Sequence, residues 1–175
     1  MANGTPPVDH IRKAVVDTGP LFNVLAIIFV RNSPTHRHSG FERIFGEADY
    51  LYDPVKERKL PELFDSIQEI LTTSHVIGEL AGRRKVSRLS PREFWLSSVD
   101  YFARKQVDEK LLRLIEICVS DEGRESVSEI DSTDAGLIEL ARREKCYLLT
   151  DDRKLAERAW KLSMGDQCKL VRHLL

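Results

Sequence analysis

Three short apolar runs constrain the architecture more than anything else in the chain. Ala14-Val15-Val16 is cut off by Asp17-Thr18-Gly19-Pro20, Cys146-Tyr147-Leu148-Leu149 by Thr150-Asp151-Asp152, and Cys168-Lys169-Leu170-Val171 comes last. Such runs are too short for helices and lack the alternation of a half-wet strand, so they read as strands buried on both faces. Helical patterns begin at once after the first two, over residues 21–30 and 152–162, with Gly165 ending the second. Strand followed by helix, repeated, implies parallel pairing with helices on both faces of the sheet. The expected fold class is α/β: a three-layer α/β/α domain around a mostly parallel central sheet, with a helix-rich middle as an excursion from it.

At 175 residues and 42% hydrophobic, the chain has the size and apolar content of one domain with a substantial core. Residues 1–12 read as a flexible leader and 13–175 as the domain. An insertion or loop over 31–59 holds His36-Arg37-His38, Tyr50, Tyr52 and Asp53-Pro54 without a firm period, though Phe41 to Phe45 has room for a helical turn. Order resumes at Pro61, with Leu63, Phe64, Ile67, Ile70 and Leu71 at helical spacing. Thr72-Thr73-Ser74 is a short strand or cap before a helix over 75–84. Ser90-Pro91-Arg92-Glu93 marks a helix start with Pro at the first helical position. A further helical pattern spans 107–119, and Ser132-Thr133 caps a helix running to Glu144.

The charge balance excludes one class of function. Lys and Arg number 27 against 28 Asp and Glu, so bulk charge does not hold this chain on nucleic acid, and any polyanion contact comes from local patches. Cys118, Cys146 and Cys168 form no CxxC pair, which points to reduced, packed thiols in a cytoplasmic protein rather than a zinc site. The first seven residues lack a secretory pattern. The greasiest stretch, Val24 to Val30, is far below the ~18 residues of a membrane span. It reads as a helix buried inside the protein, and its length leaves a homodimer interface open.

In an open parallel sheet, ligands gather beyond the carboxyl ends of the strands. This chain places acid there. Asp17 follows Val15-Val16, and Asp151-Asp152 follows Leu148-Leu149-Thr150. Asp134 shares a helix face with Leu137, Ile138 and Ala141, and Glu79 shares its helix with Val76 and Leu80. Each has an ordinary structural reading: an Asp after a strand is often an N-cap, and Glu79 can pair with Arg83. Taken together, two strand-end acids and two helix acids can converge on one edge. Two carboxylates ~5 Å apart at an effective dielectric near 20 repel by roughly 3 kcal/mol. Protons or a cation must relieve a cluster of four, and near neutral pH a hard divalent ion with oxygen ligands is the natural partner. Mg²⁺ or Mn²⁺ held in this way serves phosphodiester hydrolysis.

The acid-bearing segments resemble a known family. Val15-Val16-Asp17-Thr18-Gly19-Pro20-Leu21 looks like the opening strand of PIN domains, and Thr73-Ser74-His75-Val76-Ile77-Gly78-Glu79-Leu80 like their second acidic segment. Asp134-Ala135 with Leu140-Ala141, followed by Tyr147-Leu148-Leu149-Thr150-Asp151-Asp152, resembles their closing half with its Thr-x-Asp turn. The resemblance covers most of residues 13–172. It implies a Mg²⁺- or Mn²⁺-dependent endoribonuclease, as in VapC-type toxins and RNA-processing enzymes, acting on single-stranded or loop RNA, with an antitoxin protein as a further partner of a toxin. Carried across, Asp17, Glu79, Asp134 and Asp152 are the catalytic acids. Asp17, Asp134 and Asp152 hold the metal, and Thr150 is the polar residue beside them, counted with the substrate-binding residues.

The run Arg83-Arg84-Lys85, directly after Glu79, is the expected cradle for RNA phosphates, against the plainer reading of a solvated helix end. Continued helical geometry puts Asp152 on the side of Leu155, Ala156 and Ala159, toward the sheet, and Asp151 toward Lys154, Arg158 and solvent. The competing functional reading is a PIN-like module that binds RNA or protein without cutting. A phosphoacceptor signalling domain would want its acidic pair after the first strand. An aspartyl phosphatase would want Asp-x-Asp there, where this chain has Asp17-Thr18-Gly19.

Overall fold

The computed structural model describes residues 11–32, 49–83 and 91–175. Five strands form one sheet in the order β3-β2-β1-β4-β5, every neighbouring pair parallel. In chain order the elements are β1 (Lys13–Val16), α1 (Thr18–Asn32), a 3-10 turn (Asp49–Tyr52), α2 (Pro54–Ser66), β2 (Glu69–Thr73), α3 (Ser74–Arg83), α4 (Pro91–Lys105) and β3 (Asp108–Lys110). Then come α5 (Leu114–Ile117), α6 (Asp121–Glu129), α7 (Ser132–Glu144), β4 (Tyr147–Thr150), α8 (Arg153–Lys161), β5 (Cys168–Leu170) and a 3-10 turn (Val171–His173). α1 packs with α2, α3 and α4, while α7 lies on β1, β2 and β4 and packs with α5, α6 and α8. This is the three-layer α/β/α arrangement.

The central strands carry the core. Val15, Val16, Leu71, Leu148 and Leu149 are fully buried, and the register sets Val15 beside both Leu71 and Leu148. α1 is apolar around most of its circumference, with Leu21, Val24, Ala26 and Ile27 at zero exposure, because strands and helices enclose it. No helix among the described residues is long and apolar enough to cross a membrane. Cys118, Cys146 and Cys168 are free thiols.

The structure departs from the sequence reading at several boundaries. Ile11 is buried and the Arg12 carbonyl accepts from the Gln68 and Glu69 N–H groups, so the last two residues of the expected leader pack as part of the domain. The helix expected from Pro61 begins at Pro54, with Asp53 capping it through the Val55 and Lys56 N–H groups. Its first turns face solvent, which left them without an apolar period. That helix ends at Ser66, and Ile70 and Leu71 belong to β2 instead.

The helix expected over 107–119 is replaced by strand β3, helix α5 and the start of a capped turn at Ser120. β3 is Asp-Glu-Lys, an edge strand whose charges deter further pairing and hide it from any hydrophobic pattern. The cap of α7 is Asp131 rather than Ser132-Thr133. His36-Arg37-His38, the Phe41 to Phe45 turn, Arg84 and Lys85 lie outside the described residues.

Candidate active site

The strand order reverses between β1 and β4, so the crevice beyond their carboxyl ends is where such a fold binds ligands. Asp17 stands there, one residue past β1 and 9% exposed. Its Oδ1 accepts the Thr18 N–H at 2.5 Å and its Oδ2 the Thr150 hydroxyl at 2.6 Å. Thr150 Oγ1 in turn accepts the Asp152 N–H at 2.9 Å. One hydroxyl therefore ties the acid after β1 to the turn after β4. Thr150 is fully buried beside Asp17, and its hydroxyl is engaged by these two bonds.

The acids converge electrostatically. Burial pushes the Asp17 carboxyl up to about 6; hydrogen bonds from Thr150 and Thr18 oppose this, and the charges of Asp152 and Glu79 add to it. Burial likewise lifts Asp134 to about 7, reinforced by Asp131, Asp17, Asp152 and Glu79. Asp134 thus feels the other three sequence-predicted acids, and Asp17 feels two of them, across α3, α7 and the ends of β1 and β4. Asp17 and Asp134 have no Lys or Arg partner among the described residues. Negative charge is concentrated here without a counter-charge among the described residues.

Asp152 and Asp151 are placed differently from the helical extrapolation. The helix starts only at Arg153, and Asp152 is its N-cap in extended conformation (φ -76°, ψ 118°). Its Oδ1 accepts the Lys154 N–H at 2.6 Å and the Leu155 N–H at 3.2 Å. Asp152 is exposed, whereas Asp151 is half-buried and held by Arg172. Arg158, the cation expected beside Asp151, is buried elsewhere. In extended chain, successive side chains point to opposite sides, so Asp152 shares a side with Thr150 and Asp151 does not. The expected placement is reversed: Asp151 is the more buried of the two, with Arg172 beside it in place of Lys154 and Arg158, and Asp152 is the more exposed.

Two further residues belong to the site and were missed. Thr18, buried, donates its hydroxyl to Glu79 Oε2 at 2.6 Å and so links the first turn of α1 to α3. Asp131 caps α7 by accepting the Asp134 N–H at 2.9 Å and is the charged neighbour that acts most strongly on Asp134. A hydroxyl directly after a strand-end acid, and an Asp-x-x-Asp spacing, were the available signals. Arg83 closes α3, four residues after Glu79.

The donor set is all oxygen, which in kind fits a hard divalent ion. Asp134 and Asp152 Oδ2 have no hydrogen-bond partner among the described residues, and each Asp17 oxygen has a lone pair beyond the bond it accepts. As the side chains stand, no three His, Cys, Asp or Glu among the described residues are close enough together to hold a metal ion. Local hydrogen bonds hold Asp17, Glu79 and Asp152 in their present orientations. No protein-family model matches this chain, and no match is found among curated proteins.

Proposed function

We propose that this chain is a Mg²⁺- or Mn²⁺-dependent endoribonuclease of PIN-like design. The observation that carries the reading is the uncompensated acid cluster at the switch point of a parallel sheet: Asp17 and Asp134 are both pushed up toward neutrality by burial and by neighbouring acids. A scaffold gains nothing from such repulsion, whereas a cation relieves it. The motif resemblance to PIN domains supports the same conclusion independently.

In this reading Asp17, Asp134 and Asp152 hold the ion and Glu79 completes the acidic wall. The ion, when bound, lowers the pKa of a water and stabilises charge on a phosphoryl oxygen. Thr150 and Thr18 fix the orientation of Asp17 and Glu79 through hydrogen bonds that need no substrate. The run Arg83-Arg84-Lys85 supplies cations for RNA phosphates beyond the acids.

Purified protein incubated with a broad panel of single-stranded and stem-loop RNAs and Mn²⁺ should cut, and EDTA should stop it. The local hydrogen bonds of Asp17, Glu79 and Asp152 favour the second reading, a module that binds RNA or protein without cutting. Absence of cleavage with Mn²⁺ present would select that reading. Co-purification of a small protein encoded beside the chain would identify an antitoxin, and the mass in solution would decide on a homodimer.

A further inference from the structure

Among the described residues, the buried side-chain polar atoms lacking a hydrogen-bond partner are the Tyr50 hydroxyl, the Tyr101 hydroxyl, Asp151 Oδ2 and Arg172 Nε. All but Tyr101 belong to one cluster beside the acid site. Arg172 donates its backbone N–H to Asp151 Oδ1 at 3.1 Å and its guanidinium to the Asp151 carbonyl, with Nε 3.6 Å from Oδ1. The Tyr50 phenol, 6% exposed, faces both: burial and then the Asp151 carboxylate push it above its ordinary value, and Arg172 opposes. The backbone of Tyr50 is anchored on α1. Its N–H donates to Asn23 Oδ1 at 3.2 Å, and the Asn23 amide donates to the Gly19 carbonyl at 3.0 Å, two residues beyond Asp17.

Tyr50 therefore stands between the turn after β4 and the first turn of α1, the segments that adjoin Asp152 and Asp17. Tyr50, Asp151 and Arg172 lie against one another as one buried polar cluster, with Asp151 between the phenol and the guanidinium. The acids that push Asp17 and Asp134 upward include Asp152 and not Asp151. Arg172 compensates Asp151, and nothing similar compensates Asp152 among the described residues. Extended backbone at Asp152 supplies the coupling: with the Asp151 side chain pinned to one side by the last turn, the next side chain is turned to the other.

We propose that Asp151 is a positioning residue: gripped by Arg172 and faced by Tyr50, it fixes the turn after β4 so that Asp152 is directed at Asp17 and Asp134. This rests on the metal-dependent reading above. Asp151 touches neither ion nor substrate and acts through its neighbour. Residues that orient metal ligands in this way are typically worth about tenfold to a hundredfold in metal affinity or activity.

The test uses the full chain. Mn²⁺ affinity is measured at 20 °C by the electron paramagnetic resonance signal of free Mn²⁺, beside the metal-free melting temperature and kcat and KM on RNA. Asp151→Ala should weaken Mn²⁺ binding about tenfold or more in protein that is still folded, lowering kcat and leaving KM for RNA level. Asp151→Asn keeps an oxygen for the Arg172 N–H and should recover most of the loss. Tyr50→Phe should cost a few-fold. Wild-type Mn²⁺ affinity in folded Asp151→Ala overturns the positioning role and leaves the metal reading standing. If Asp151→Ala does not fold, unchanged affinity in both Tyr50→Phe and Arg172→Ala overturns it equally. A wild-type chain that binds no Mn²⁺ removes the metal reading and this inference with it.

Discussion

Two buried charges sit in opposite surroundings: Asp17 at the end of β1, and Arg158 on α8 at 5% exposure. Arg158 donates to Glu129 and Glu125 at 3.0 Å each, to the Ser126 hydroxyl at 3.0 Å and to the Glu122 carbonyl at 3.3 Å. Its charge is balanced and its donors are used, and the result is a clamp between α6 and α8. Asp17 has hydrogen bonds but no counter-charge among the described residues, and the charged neighbours acting on it are acids. A buried charge that is fully partnered holds a fold together; one surrounded by its own sign stores free energy that a ligand can release. The first is structural and the second marks the candidate site.

The hardest test of that contrast is activity. Asp152→Asn should reduce metal-dependent cleavage on the order of 10³-fold, since a bound ion supplies several kcal/mol of charge stabilisation. Asp151→Asn should retain a substantial fraction. Cleavage rates on one RNA substrate, with circular dichroism to verify folding, distinguish them, and equal losses would mean that both acids serve the ion.

Proton linkage gives the next largest effect. Asp17 rises from the ordinary 3.8 to about 6 and Asp134 to about 7, so the folded chain holds more protons than the unfolded chain across that window. Metal-free stability should therefore fall as pH rises from about 4 to about 7 and level off above, each group contributing on the order of 3 kcal/mol. Asp17→Asn keeps both hydrogen-bond positions, because the Thr150 hydroxyl can accept from an amide where it donated to a carboxylate. It should leave metal-free stability at pH 8 level or higher. Urea melts at pH 5 and pH 8, with and without Mn²⁺, check both statements. Strong destabilisation by Asp17→Asn would make Asp17 a structural cap.

Arg158→Met should cost about 2 kcal/mol at every pH in that range, less than a sealed ion pair would, because Glu125 and Glu129 are 62% and 40% exposed and rehydrate. Mn²⁺ affinity should not change. A change there would merge the two regions into one and break the comparison. Smallest of all, replacing Arg83, Arg84 and Lys85 by Ala should flatten the salt dependence of RNA binding, by roughly 0.7 in slope for each single-strand phosphate that is no longer neutralised. An unchanged slope would make the run an ordinary solvated surface.

The layers, the parallel sense and the acid positions were legible in the chain because each depends on short-range pattern. Four-residue apolar runs such as Val15-Val16 and Leu148-Leu149 can be satisfied only inside a sheet covered on both faces, and Asp17 and Asp152 follow directly from where those runs stop. β3 was illegible because Asp108-Glu109-Lys110 forms a strand only by pairing with Leu71-Thr72-Thr73, a partner distant in sequence. The start of α2 was illegible for the converse reason: its first turns bury little and show no period.

At the site, residue types pointed to oxygen-donor chemistry, but tertiary neighbours decided what each residue does. Thr150 became a support because β1 runs beside β4 and its hydroxyl meets Asp17 there. Thr18 and Glu79 were joined by the packing of α1 on α3. Asp151 and Asp152, identical in sequence, were separated only when Arg172 of the last turn and Tyr50 of the 3-10 turn took one side of an extended backbone. Local sequence determines which atoms are available; which of them are compensated depends on partners tens of residues away, brought near by the fold alone.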